Sequence, residues 1–258
     1  EKQQTPDLIF PIITLNNASF KYTNYSIPTQ NLKEWQFNVN DIAVDSLFTQ
    51  IQFSLTNQSN LDANINYLNF KEKSGFRLSH LSTCVKLTDS SFVSPFANIK
   101  LPNTHLITDS IAILLTRNNE NRVDWAKTKF KFNILKADLQ LSDLKHFVPE
   151  FEHLKKHASA SAKINGTLDN LKATNLRAKY GKTLSIKANI ETSGLPDIKN
   201  TYFKGAINHI RFDKASVQDI IANISKQPFV LPKEISNLGL CQYSGDISGS
   251  TSNLVLYG

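Results

Sequence analysis

"KINGTLDNLKATNLRAKYG", residues 163–181, alternates small or apolar residues with polar ones and turns once, just after a glycine. Its opening phrase returns at the end of the chain in "DISGSTSNLVLYG", residues 246–258: Ile164, Gly166, Thr167, Asn170 and Leu171 match Ile247, Gly249, Ser250, Asn253 and Leu254 at the same spacing. A phrase written twice at one spacing reads as a strand-turn-strand unit used more than once, with Gly permitting the rim turn or a strand bend.

The same period of two recurs along the chain, in Trp35, Phe37, Val39; Ile51, Phe53, Leu55; Ala63, Ile65, Tyr67; Phe130, Phe132, Ile134; Ala158, Ala160, Ala162; Leu184, Ile186, Ala188, Ile190; and Phe203, Gly205, Ile207. Successive strand side chains point to opposite faces, so each run predicts one dry face and one wet face, the pattern of antiparallel β structure. The breaks are short and rich in Asn, Gly, Ser and Asp, as in "KEKSG" (71–75) and "YGKT" (180–183), which predicts a meander. Strands of about five or six residues, spanning about 17 to 20 Å, are expected.

Two stretches change period. "SDLKHFVPEFEHLKK" (142–156) spaces Leu144, Phe147, Val148, Phe151 and Leu154 helically, with Pro149 dividing or kinking it. "SVQDIIANI" (216–224) sets Val217, Ile220, Ile221 and Ile224 on one face, with Ser216 as N-cap and Asp219 in a capping-box position. Two short helical insertions, near 142–156 and 216–225, are expected to plug sheet ends, Phe151 among the side chains covering the dry face. "KQPFVLPKE" (226–234) reads as an extended connector.

With 40% hydrophobic and 20% charged residues the 258-residue chain is globular in composition, and it contains no Met, which reads as a processed or excised piece. The longest apolar run, "IAILL" (111–115), is too short to span a bilayer. The net charge of +7 comes from basic residues at alternate positions, such as Lys129 and Lys131 or Lys179, Lys182 and Lys187. These read as a solvated outer face, with a lipid-headgroup preference as the second reading and no nucleic-acid partner expected. Cys84 and Cys241 stand alone, and sequence does not decide whether they pair.

No nucleophile, phosphate-loop or dinucleotide motif is present. His153 and His157 are four apart, yet "EHLKKH" lacks a third ligand and reads as a solvated helix face. Neither catalysis nor a metal or cofactor is expected.

Six phrases in order resemble TamB-like proteins of the AsmA/TamB superfamily: "LNNASFKY" (15–22), "KSGFRLSHLSTCVKL" (73–87), "LSDLKHFVPEF" (141–151), "INGTLDNLKATNLRAKYG" (164–181), "SGLPDIKNTYF" (193–203) and "LPKEISNLGLCQYSGDISGS" (231–250). The resemblance implies an elongated antiparallel U-shaped sheet, a β-taco groove, with residues 1–258 forming one continuous mid-chain segment of a longer protein. It implies a periplasmic, inner-membrane-anchored, non-enzymatic protein that supports phospholipid transport between inner and outer membranes and outer-membrane assembly, as part of a translocation and assembly module. Its partners would be phospholipid acyl chains and, through segments outside this chain, an outer-membrane barrel protein. The groove candidates are Ile164, Leu168, Leu184, Ile186, Ala188, Ile190, Phe203 and Ile207. Two other readings stay open at this point: a scaffold or chaperone-like module for outer-membrane protein insertion, and a conventional secreted β-sandwich binding module.

Overall fold

The computed structural model describes residues 7–26, 32–56, 60–195, 201–225, 239–250 and 253–258; the connector at 226–234 lies outside them. The chain is mainly β. Its strands are β1 (Leu8–Thr23), β2 (Asp41–Thr56), β3 (Asn60–Glu72), β4 (Arg77–Thr88), β5 (Ser91–Ser94), β6 (Ala97–Lys100), β7 (His105–Leu114), β8 (Lys129–Gln140), β9 (His157–Thr167), β10 (Asn170–Tyr180), β11 (Leu184–Ser193), β12 (Tyr202–Phe212), β13 (Cys241–Ser250) and β14 (Asn253–Tyr257). One helix, α1 (Lys214–Ser225), lies between β12 and β13.

All 14 strands form a single antiparallel sheet in sequence order. β5 and β6 are two halves of one position, each paired with β4 and with β7, because Pro95 between them has no N–H to give the ladder. Thirteen positions at about 4.8 Å spacing make a sheet about 60 Å from first strand to last. Every described strand belongs to this one sheet.

Most strands run to 10 to 16 residues, about twice the expected length. The reason is a set of bulges that interrupt the sequence period without ending the strand. Register shifts fall between Ile65 and Leu68, between Ile134 and Ala137, between Ala173 and Leu176, and between Ile207 and Ile210. These line up. Those of β3 and β8 lie between one row of the ladder, Ile65–Thr83–Ala97–Thr108–Ile134–Ala162, and the next, Leu68–Leu81–Ile99–Leu106–Ala137–Ala160, and those of β10 and β12 fall within a row of the same line. A bulge bends and twists its strand, so bulges in line crease the sheet. Thr83, Ala97, Thr108, Ala137, Ala162 and Ala188, along the crease, are buried, and all stand outside the two clusters packed under the insertions. At β10 the bulge carries Asn175 in the left-handed region (φ 53), its N–H donating to Asn189 Oδ1 at 2.8 Å.

The bulges also correct one run. In β3 the alternation Ala63, Ile65 passes to Leu68 rather than Tyr67, which sits opposite Gln50 on the polar face. Trp35, Phe37 and Val39 form no strand. That loop is tied down by the Phe37 N–H donating to the His146 carbonyl at 2.9 Å and His146 Nδ1 donating to the Trp35 carbonyl at 2.6 Å.

The repeated phrase is one hairpin built twice. Gly166 faces Leu171 and Gly249 faces Leu254, and both glycines have φ 129. A Cβ would lie 2.1 Å from the Asn170 carbonyl oxygen at Gly166 and 2.0 Å from that of Asn253 at Gly249. Gly166→Ala and Gly249→Ala are each expected to destabilise by more than about 1 kcal/mol in urea unfolding. Gly239→Ala, where nothing lies within 4 Å, should leave the midpoint unchanged. Equal midpoints for all three variants would refute the shared hairpin geometry.

Candidate functional site

One row of side chains crosses the entire sheet: Leu8–Leu55–Leu61–Leu87 over β1 to β4, Phe92–Ile113–Phe130–Gly166 over β5 to β9, and Leu171–Thr192–Phe203–Gly249–Leu254 over β10 to β14. The adjacent row points the other way and carries Asp62, Lys86, Lys131, Lys172, Glu191 and Lys204. The alternation is clean in β10, where Leu171, Ala173, Leu176 and Ala178 are half-buried and Lys172, Arg177 and Lys179 exposed. A continuous apolar face therefore runs the length of the sheet, with a charged face behind it.

Seven of the eight candidate residues lie on this apolar face. Ile164 and Ile190 share a row with Ala173 and Gly205, Ala188 faces Ile207, and Ile186 faces Ala178 and Ile210. Leu184 faces Tyr180, and Phe203 faces Thr192. Leu168 does not join them, because it occupies the turn between β9 and β10. The groove candidates left out β1 to β5, where Leu55, read from its period as part of a dry face, is joined by Leu8, Leu61, Leu87 and Phe92 in the same row; in β1, Pro11 and the bulges break the alternation.

The insertions cover the apolar face along one rim. The segment expected to be helical and divided or kinked at Pro149 is two 3₁₀ turns, Leu141–Leu144 and Pro149–His153. It serves two clusters: Leu144 packs with Phe76, Leu78 and Leu101, while Leu154 and Phe151 pack with Ala158, Tyr180 and Ile220 of α1. Phe147 touches the rings of Phe37 and Phe76 yet stays 52% exposed. His153 ends the second turn and His157 opens β9, so the two share no helix face.

The α1 helix starts earlier than expected. Its cap is Asp213, whose Oδ1 accepts the Ser216 N–H at 2.8 Å while Ser216 Oγ returns a bond to the Asp213 backbone. Asp219, free of the capping role, accepts from the Tyr180 hydroxyl at 2.8 Å and from Lys156 Nζ at 3.0 Å, which fastens α1 to the rim. Burial, then the hydrogen bond and charge of Asp219, raise the Tyr180 pKa above its ordinary 10.0. Burial works to raise Asp219, but the bonds from Lys156 and Tyr180 outweigh it and hold the carboxyl below 3.8. The folded state thus keeps a Tyr180 proton that the unfolded chain loses above pH 10, so this lock weakens as pH rises beyond that point. On the acid side its contribution is present above pH 3.8 and lost as pH falls through the lowered pKa of Asp219. Tyr180→Phe is expected to cost about 1.5 kcal/mol at neutral pH. The gap to the wild type should narrow above pH 10; a gap independent of alkaline pH would refute the lock.

Most buried hydroxyls on the apolar face are bonded within the protein, the Thr108 hydroxyl being an exception. Thr49 Oγ1 donates to the Tyr67 carbonyl at 2.9 Å, Ser94 Oγ donates to the Phe96 carbonyl at 2.6 Å, and Thr83 and Ser94 hydroxyls bond at 2.8 Å. Among the described residues no three His, Cys, Asp or Glu side chains gather as a metal site. Cys84 and Cys241 are free, on β4 and β13. The arrangement offers an extended apolar surface with no converging polar group. No protein-family model matches the chain, and neither the curated proteins nor the solved structures contain a match.

Proposed function

We propose that the apolar face is a groove that carries the acyl chains of phospholipid, and that the protein supports lipid movement between membranes rather than catalysing a reaction. One observation carries this reading: a single row crosses all thirteen strand positions with ten apolar side chains, interrupted by Gly166, Thr192 and Gly249, and every described strand belongs to this one sheet. The crease, lined by small buried residues, supports a concave apolar face, the β-taco section that the TamB-like resemblance implies. That resemblance further suggests a periplasmic, inner-membrane-anchored setting.

Energetics favours passage over capture. A tail of about 16 carbons gains about 12 kcal/mol over water when buried, but it already has that gain in a bilayer. The groove need only match bilayer apolarity, and the Thr49, Thr83 and Ser94 hydroxyls along it are bonded within the protein rather than offered to a lipid. Mass spectrometry of purified protein should find bound phospholipid in near-native solution; lipid-free protein that stays monomeric and binds no fluorescent phospholipid would reject the groove.

A second reading rests on the sheet's ends. β1 and β14 each have one unpaired side among the described residues and expose Ile9, Ile12, Leu254 and Leu256, which suits strand addition by a nascent outer-membrane protein. Crosslinks from these edges to a barrel protein, without lipid in the groove, would favour it.

A further inference from the structure

Basic residues that are scattered along the chain are gathered by the sheet. On the polar face, near the rim that bears α1, two consecutive rows read Ser161–Arg177–Lys187–His209 and Ser159–Lys179–Ser185–Arg211 across β9 to β12. They line a depression of about 560 Å³, bordered on β8 by Lys136 and Asp138. Asp138 is the one carboxylate lining it, and Lys136 already holds that carboxylate at 2.6 Å. Arg177, Lys179, Lys187 and Arg211 are exposed and in no ion pair among the described residues.

The register makes this arrangement costly for the protein alone. Arg177 and Lys187 are direct cross-strand neighbours, and like charges at that position repel. On the same face Lys172 opposes Glu191 and Asp62 opposes Lys86 as complementary pairs, while Lys71 opposite Arg77 is a second like-charged pair. The serines flanking the cations are short and leave room for a ligand between their heads.

We propose that this depression binds a phosphate group, as a phosphomonoester or diphosphate. Two guanidinium forks match phosphate oxygens bidentately, and a doubly charged anion satisfies cations from both rows where a single carboxylate would not. The patch covers three strands and two rows, about 10 by 7 Å, the size of one or two phosphates rather than a nucleic-acid tract. The site lies on the opposite face from the proposed groove and does not rest on that reading.

The test uses the whole chain, sodium pyrophosphate in isothermal titration, and flotation with phosphatidylcholine vesicles with or without phosphatidic acid. Saturable pyrophosphate binding is expected, weakened about a hundredfold in Arg177→Gln/Lys187→Gln through loss of two charge-assisted bonds. The double variant should melt at or above the wild-type temperature, since a repulsion is relieved. Lys129→Gln/Lys131→Gln, with the same charge change elsewhere on this face, should bind as wild type. Flotation only with phosphatidic acid, lost in the first variant, identifies a lipid phosphate as the source; pyrophosphate binding without flotation identifies a soluble phosphate ester; both support the site. No saturable binding, equal weakening by the two double variants, flotation without pyrophosphate binding, or a lowered melting temperature in the first variant would overturn it.

Discussion

A photo-crosslinking residue at Ile186 should capture phospholipid from vesicles, and one at Lys187 should not. The two positions are adjacent on β11, and successive strand side chains point to opposite faces. Ile186 lies in the row with Ala178, Ile210 and Tyr243 beside the crease, whereas Lys187 points to the polar face opposite Arg177 and His209. Under the groove proposal the yield at Ile186 approaches that of a membrane-buried position, and Lys187 gives background. Ile186→Asp should abolish carriage, because a carboxylate in the apolar path must ionise at a penalty or stay protonated with a raised pKa. Equal capture at both positions would mean non-specific membrane contact, and no capture at Ile186 would remove the groove.

The largest stability loss is expected at Leu154. Its side chain is 1% exposed and sits among Ala158, Tyr180, Phe151 and Ile220, where β9, β10, α1 and the second 3₁₀ turn meet. Leu154→Ala should cost about 2 to 5 kcal/mol, the transfer of the lost atoms plus the cavity left behind. Leu154 anchors the insertion, so the urea midpoint should fall while strand content by circular dichroism stays native before the transition. Phe147→Ala, removing a ring that is 52% exposed, should change the midpoint much less. An unchanged midpoint for Leu154→Ala would show that the insertion is not fastened to the sheet at this residue.

The hairpin at 163–181 was legible in its turn and in the alternation on either side of the Asn175 bulge, because these are local matters of side-chain period and backbone freedom. The same holds for the division of the first insertion before Pro149, which follows from a missing N–H. Fold class followed because period-two runs with short breaks leave a meander as the simplest pairing, and β1 to β14 pair in that order. Seven of the groove candidates share one face for the same local reason, while Leu168 failed because a turn residue has no strand period to obey.

What no single strand specifies is how its rows meet those of its neighbours. The bulges at Asn175 and near Tyr67 look, in sequence, like lapses in alternation; only ladder register shows that they fall on one line and crease the sheet. Ala160 and Ala162 of "ASASAK" (158–163) look like weak strand formers until they are seen to flank that crease, while Ala158 packs under the insertion with Leu154 and Tyr180. The cap of α1 moved to Asp213 because Asp219 was drawn to Tyr180 and Lys156, partners 39 and 63 positions away in the chain. Likewise Arg177, Lys187 and Arg211 are spaced as solvated surface residues in sequence, and become a cluster only when β10, β11 and β12 are set side by side. Sequence by itself determined which face of each strand is apolar, because that depends on neighbours one and two residues away. The tertiary structure decided where those faces bend, what covers them and which charges meet, because those depend on hydrogen-bonded register between residues far apart in the chain.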